Sequence, residues 1–325
     1  MLISFILAGD FLKGEFERSL QSILSQSDDD YEIILCSDVP MEDSEISIYY
    51  WDLFWKTKKI NTIILNDSSV GNSSNWNNAL KVLNGEYFMF IKPGDTLDIN
   101  IVSNIKKALV KNANKGALDI IEFCANLTGL AKSQTKTYIE KDRVYNLDVD
   151  FAPFAHVVDI LFTKCYRRDV IENNPFSFKP FVEYELLFVY KFLSQAKTFI
   201  SLETNYIGYI DIQISLSFQP VFDRVKQWSH IFNHFRRLGI YKDIKDYINY
   251  AYFKSTIHTW LWQIKRYNKK TLIIKSYDYI TRKFNSKKRT EFIKQNKAYK
   301  NSEDMKFKAI MLNFDNYIED FKKEN

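Results

Sequence analysis

Asp95 is the acidic residue whose neighbours best place it for chemistry. It ends the stretch Gly85-Glu86-Tyr87-Phe88-Met89-Phe90-Ile91-Lys92-Pro93-Gly94-Asp95. The apolar run has the length of a buried strand. Pro93 and Gly94 stop it, because proline cannot donate to a ladder and glycine permits a sharp turn. Asp95 is therefore expected at the carboxyl edge of a strand, where open α/β sheets bind their ligands. The competing role is local, as the cap of a helix beginning near Asp98. His230 and His234 stand i, i+4 on a helical stretch, a spacing that can hold a metal. No glutamate follows His230 and no third ligand accompanies the pair, so both are read as lining a helix face.

An edge aspartate acts only if a sheet presents it. Ile3–Ala8 reads as a buried strand, followed by a Gly9-Asp10 turn. From Lys13 to Ser25 the spacing is helical, with Phe16, Leu20, Ile23 and Leu24 on one face. Tyr31–Cys36 is a second, almost wholly apolar strand, which predicts a parallel pair. The stretch Glu42–Lys59 is ambiguous, with helical spacing of its apolar residues. Asn61–Leu65 is a short strand and Asn66–Ser74 a polar loop of the kind that carries function. Asn75–Leu83 is a helix stopped by Asn84-Gly85. After Asp95 come a helix near Ile99–Asn112 and a strand at Leu118–Phe123. The alternation predicts an α/β sheet layered by helices. Ile160–Tyr166 and Lys197–Leu202 read as strands, Arg167–Asn173 as a helical turn and Phe181–Leu193 as a helix. Beyond Gln219 the pattern is all helical, at Val221–Leu238, Lys242–Lys265, Thr271–Lys283, Thr290–Lys297 and Glu303–Lys322.

Hydrophobic residues make up 46% and charged residues 26%, which makes the chain globular. The net charge of +5 conceals a division. Residues 220–325 carry 24 basic against 11 acidic side chains, while residues 1–219 carry 21 against 29. Such asymmetry suggests an anionic partner for the carboxyl-terminal part. Basic helices bearing Trp228, Trp260 and Trp262 would suit an anionic membrane surface. The alternative is that the aromatics pack inward while Lys and Arg face water. No nucleic-acid motif accompanies the charge, so no nucleic-acid partner is expected. Cys36, Cys124 and Cys165 lack metal or redox spacing and are read as reduced thiols. Leu2–Ala8 is too short and lacks the basic flank of a secretory signal, and no run reaches the length of a membrane span. The expected setting is cytoplasmic, with peripheral association at the inner face of the membrane as the one membrane role left open. Homo- or hetero-oligomers both stay open.

An ordered set of segments carries a family resemblance. Ser4-Phe5-Ile6-Leu7 is followed by Phe16–Gln26, which closes on Ser22-Ile23-Leu24-Ser25-Gln26. Tyr31-Glu32-Ile33-Ile34-Leu35, Gly71, Asn77 and Gly85–Asp95 come next. Phe162–Arg168, Phe181–Ile200 and Tyr206–Ser217 complete the set. In order and spacing these resemble the family 2 glycosyltransferases, which are inverting enzymes. The resemblance implies a GT-A fold, a Rossmann-like, mostly parallel nucleotide-diphospho-sugar sheet over 1–218. A helical, basic region at 219–325 follows it. It also implies transfer of a sugar from a nucleoside diphosphate sugar, with a uridine diphosphate sugar the expected donor. The acceptor would be a hydroxyl of a glycolipid or surface polysaccharide.

The resemblance assigns roles residue by residue. Ala8 and Asp10 after the first strand, Asp38 after the second, Asn77 and Lys164 would hold the nucleotide sugar. Asp95 would supply an oxygen to Mn²⁺ or Mg²⁺, which bridges the diphosphate as it gathers charge. Glu183 or Glu185 would be the general base for the acceptor hydroxyl. On a helix positions i and i+2 face different ways, so at most one should point into the cleft. The motifs are degenerate. Ala8-Gly9-Asp10-Phe11 replaces Pro-x-Tyr-Asn, and Ser37 replaces one of two aspartates. Trp76 replaces an arginine, Pro93 the first acid of Asp-x-Asp, and Tyr184 the aspartate of a Glu-Asp pair. These departures motivate an alternative, a non-catalytic glycosyltransferase-like scaffold that partners another transferase.

Overall fold

Short apolar runs bounded by turn residues become the adjacent strands of one sheet. The computed structural model describes the chain outside residues 10–13, 38–51, 53–56, 66–70, 130–132, 181, 183, 211–218, 268, 324 and 325. The ambiguous stretch 42–59 falls largely outside the described residues. The chain condenses into two compact units. The first comprises Met1–Lys136, Glu140–Asp148 and Ile160–Asp211. The second comprises Thr137–Ile139, Val149–Asp159 and Ile212–Asn325, so it draws two short pieces from within the first 218 residues.

The first unit begins β1 (Ile3–Ala8), α1 (Gly14–Leu24), β2 (Tyr31–Ser37), β3 (Ile60–Leu65), α2 (Gly71–Ala79) and β4 (Tyr87–Ile91). Then come β5 (Thr96–Leu97), α3 (Ile101–Lys111), β6 (Ile120–Gly129), β7 (Ser133–Gln134) and β8 (Val144–Asn146). Helix α4 (Ala152–His156) belongs to the second unit, and the chain returns with β9 (Lys164–Arg167), α5 (Arg168–Asn173), α6 (Glu185–Leu193) and β10 (Thr198–Ile210). Among the described residues the sheet has ten strands, in the order β3-β2-β1-β4-β9-β6-β10-β5, with β7 on β6 and β8 on β10. Strand β1 is buried along its whole length and runs parallel to β2 and β4. Registers Ala8↔Cys36 and Leu7↔Ile91 bring the carboxyl ends of these three strands side by side. The sheet is of the α/β class, parallel across β3, β2, β1 and β4, with β9 inserted antiparallel between β4 and β6.

At the opposite, amino edge a buried carboxylate joins the strands. Glu32 accepts hydrogen bonds from the Ser4 hydroxyl, from Asn61 Nδ2 at 2.7 Å, and from the Asn84 backbone and side chain at 2.8 and 2.9 Å. Burial opposes its charge, yet the hydrogen bonds from Asn84, Ser4 and Asn61 hold its carboxyl below the ordinary value. Gly85 is required beside it, since a Cβ there would stand 2.6 Å from the Ser4 backbone nitrogen.

Several elements differ from expectation. Helix α2 starts at Gly71, inside the expected polar loop, and buries Ser73 and Asn75. The strand expected at Ile160–Tyr166 opens with a 3₁₀ turn, Leu161–Thr163, and is extended only from Lys164. Strands β6 and β10 run well past their expected ends because they pair with each other in parallel as far as Ile210↔Gly129. Their register shifts between Leu202 and Asn205, a bulge that absorbs two residues of β10. Asn104 on α3 donates to the Thr204 hydroxyl in that bulge at 3.0 Å.

The second unit holds α7 (Gln219–Arg237), α8 (Tyr241–Phe253), a π-helical stretch Lys254–Trp260, α9 (Leu261–Tyr267) and α10 (Lys270–Lys283). It ends with α11 (Ser286–Gln295), α12 (Lys297–Asn301), α13 (Met305–Leu312) and α14 (Phe314–Lys323). The expected Glu303–Lys322 helix is broken into two at Asn313. Trp228 and Trp260 are buried. Trp228 packs on Phe232 and Tyr252, and Trp260 donates its indole proton to the Val221 carbonyl at 2.8 Å. Trp228 and Trp260 thus belong to the core of this unit, whereas Trp262 is half-buried with Arg266 over its ring. Among the described residues no helix is long and apolar enough to cross a membrane.

Candidate active site

The carboxyl edge of the sheet unit is organised by the turn that follows β4. The left-handed backbone of Gly94, with φ of 95°, lets the chain reverse immediately after Pro93. Helix α1 grips that turn. Ser19 Oγ accepts the Gly94 amide at 2.8 Å and donates to the Asp95 carbonyl at 2.7 Å. Arg18 donates to the Gly94 carbonyl at 2.7 Å, and the Gly94 amide also reaches the Glu15 carbonyl at 3.0 Å. At the end of β1, Gly9 makes room for Pro93, because a Cβ on it would lie 2.4 Å from the proline ring. The turn is therefore fixed from both sides before any ligand is considered.

The Asp95 side chain is nearly buried, 4% exposed. The Tyr206 hydroxyl, from β10, donates to Asp95 Oδ2 at 2.7 Å. Burial first, and then the Asp95 charge, push the Tyr206 hydroxyl well above its ordinary value. Tyr206 therefore stays a proton donor and sets the direction of the Asp95 carboxyl group. Asp95 does not act as the side-chain cap of α3, whose N-cap is Asn100.

The remaining expected site residues fall in three groups. Ala8 is buried at the carboxyl end of β1, beside the β2 terminus. Asp10, Asp38 and Glu183 lie outside the described residues. Asn77 on α2 clamps a neighbouring segment, accepting the Phe178 amide at 2.8 Å and donating to the Phe178 carbonyl at 2.9 Å. Ser73 donates to the Val182 carbonyl at 2.7 Å, and Trp76 packs its ring 4.8 Å from that of Phe178. Helix α2 thereby positions the chain entering α6, at whose first residue stands half-buried Glu185. A carboxylate in the first turn of a helix is favoured by the helix dipole.

Lys164 is placed differently from expectation. It is fully buried in β9, opposite Glu122 in the antiparallel register with β6. Its ammonium lies 3.3 Å from Glu122 Oε2, 2.8 Å from the Ile160 carbonyl and 3.2 Å from the Thr163 hydroxyl. An ammonium has three protons, and these three acceptors account for them. The strand pairing has turned this side chain into an internal ion pair, not a cation presented to a diphosphate.

Ser19, Arg18 and Tyr206 are the residues that sequence reasoning missed. Tyr206 had a signal, since a tyrosine that ends up buried needs an acceptor for its hydroxyl. The fold resemblance implies a divalent cation, and the donor set bears on its fit. Among the described residues no three His, Cys, Asp or Glu side chains gather as a metal site. Among the described residues, Asp95 is the carboxylate that this edge presents with a fixed orientation. That fits a cation held chiefly by phosphate oxygens and water, as Mg²⁺ commonly is.

No family model matches the sequence, and no curated protein matches it either. Solved structures do. The crystal structure of residues 1–349 of Staphylococcus aureus TarS is similar at 13% identity and a TM-score of 0.62, covering 95% of this chain and 92% of that one. The same fragment in complex with UDP-GlcNAc matches at 13% identity, with a TM-score of 0.63 and the same coverage. The mannosyltransferase PcManGT from Pyrobaculum calidifontis, in complex with GDP-Man and Mn²⁺, matches at 10% identity and a TM-score of 0.52. That match covers 98% of this chain and 86% of PcManGT. At these identities the likeness establishes the fold.

Proposed function

We propose that this protein is an inverting, family 2-type glycosyltransferase that uses a nucleoside diphosphate sugar. The observation that carries the reading is Asp95, oriented by Tyr206 on a rigid turn at the carboxyl edge of β4. Support comes from the fold, whose relatives include structures solved with UDP-GlcNAc and with GDP-Man and Mn²⁺. In the proposed reaction the acceptor hydroxyl oxygen bonds to the anomeric carbon as the bond from that carbon to the diphosphate breaks. The hydroxyl proton passes to a carboxylate, Glu185 or Glu183. A bound Mn²⁺ or Mg²⁺ would offset the charge gathering on the diphosphate. Asp95 would hold that cation, and Ala8, Asp10, Asp38 and Asn77 would line the nucleotide side. Lys164 has no place in this constellation. The acceptor class is a hydroxyl of a glycolipid or surface polysaccharide.

The test is a thermal-shift and calorimetric screen of nucleoside diphosphate sugars with and without Mn²⁺. A uridine diphosphate sugar should raise the melting temperature in the presence of Mn²⁺. Asp95→Asn should weaken that response at least about tenfold, and Glu185→Gln should lower turnover with binding retained. The absence of any response to any nucleotide sugar would overturn the proposal. A second reading, a non-catalytic scaffold partnering another transferase, is favoured by the ion pair that withdraws Lys164. Turnover that disappears in Glu183→Gln or Glu185→Gln rules that reading out.

A further inference from the structure

Residues 270–300 carry ten basic side chains against two acidic ones, Asp278 and Glu291. The structure shows where that charge stands. Helix α10 buries Leu272, Ile273, Ser276 and Ile280. Its opposite, exposed face is the i, i+4 ladder Lys270, Ile274, Asp278 and Arg282. On α11, Lys287, Lys288 and Lys294 are exposed, and on α12 so are Lys297 and Lys300. Arg289 is different, being tied to Asp315 at 2.7 Å. None of Lys270, Arg282, Lys287, Lys288, Lys294 and Lys297 has a carboxylate partner among the described residues. These seven like charges on the outside of three consecutive helices repel one another, and an anionic partner relieves that repulsion.

We propose that the exposed faces of α10, α11 and α12 form a docking surface for an anionic lipid bilayer. Two observations favour a bilayer over a nucleic acid. Ile274 is 42% exposed on the same face as Lys270 and Arg282, where an apolar side chain can enter the headgroup region. The rings on these helices are engaged within the unit and not free to stack on bases: Phe292 and Tyr299 are buried, Tyr277 donates to Glu319 at 2.6 Å, and Tyr279 packs on Trp260. The charge is also mostly lysine, suited to diffuse attraction by a charged surface and less so to forked recognition of single phosphates. Each lysine or arginine held near such a surface strengthens partition by roughly fivefold. The patch stands independently of the transferase reading, because binding needs neither donor nor acceptor.

The test is vesicle co-sedimentation of the full chain with phosphatidylcholine alone and with roughly a third phosphatidylglycerol. Binding is expected to the anionic vesicles only, and to fade as salt rises from about 0.05 to about 0.5 M. Lys287→Glu, Lys288→Glu and Lys294→Glu combined should cut the partition coefficient at least tenfold with an unchanged circular-dichroism melt. Asp278→Lys should raise it, which keeps the proposal testable if the triple variant fails to fold. Equal partition into neutral and anionic vesicles, retention of binding by a folded triple variant, or no gain from Asp278→Lys would overturn it. So would binding to duplex DNA without binding to vesicles.

Discussion

Glu32 and Asp95 are both acidic side chains buried at edges of the same parallel strands, and the framework holds them in opposite ways. At the amino edge it surrounds the carboxylate itself, with hydrogen bonds from Ser4, Asn61 and Asn84 converging on Glu32. At the carboxyl edge it takes hold of the backbone, through Ser19 and Arg18 on the Gly94 and Asp95 peptide groups, while Tyr206 sets the direction of the carboxylate. The difference separates a carboxylate that completes a structure from one that a structure presents. Lys164 and Glu122 belong to the first kind.

Substitutions can break or sharpen this contrast. The largest effect should come from Lys164→Met, which leaves Glu122 buried without its ammonium and should cost about 3–5 kcal/mol by urea denaturation. Adding Glu122→Leu should recover most of that loss, an outcome impossible for a lysine whose role is ligand binding. Glu32→Ala should cost about 3 kcal/mol, since it strands several buried donors. It should leave any nucleotide response intact, whereas Asp95→Asn should do the reverse.

Next comes an acid transition in the helical unit. Burial, then Lys254, push the half-buried His156 down to about 4, and burial, then Lys306 and Lys254, do the same to His258. Asp304 opposes the shift in both, and Asp159 also does so at His258. Both imidazoles are neutral when folded but charge near pH 6.5 when unfolded. Stability is thus complete above about 6.5 and falls as the pH drops toward 4, by up to roughly 3 kcal/mol per histidine. Glu32 has the depressed carboxyl, so its contribution persists above its ordinary value of 4.5 and is lost only below it. Circular dichroism against pH should show the helical unit yielding first, and His156→Phe should move the onset downward. The smallest effect should be Tyr206→Phe, about 1 kcal/mol in stability, with a weaker Mn²⁺-dependent nucleotide response.

The strands that frame the site were legible because their signals are local. β1 and β4 coincide with apolar runs closed by Gly9 and by Pro93-Gly94, and β2 exceeds its expected end by one residue. Helix α2 was partly hidden because Gly71–Ser74 has no apolar periodicity, and its burial rests on hydrogen bonds such as Ser73 to Val182. The extensions of β6 and β10 were invisible because each strand is prolonged by the other. The position of Asp95 could be read from its own neighbours. Its partner Tyr206 could not, being 111 residues away, nor could the Glu122 that claims Lys164. Local pattern decides where backbone turns, and pairing across the sheet decides which charges are used up inside it.

The bulge in β10 makes the site sensitive to counting. It absorbs Glu203 and Thr204, an even number, so Leu202 and Tyr206 keep the alternation that pairs them with Phe123 and Ala125. Side chains in a strand change faces with every residue. Removing one residue from this short stretch would invert the reading frame of everything after it and turn the phenol away from Asp95. The identities of residues 203 and 204 should therefore vary more freely than their number, and an insertion or deletion of one there should disturb the candidate site although it touches none of its residues.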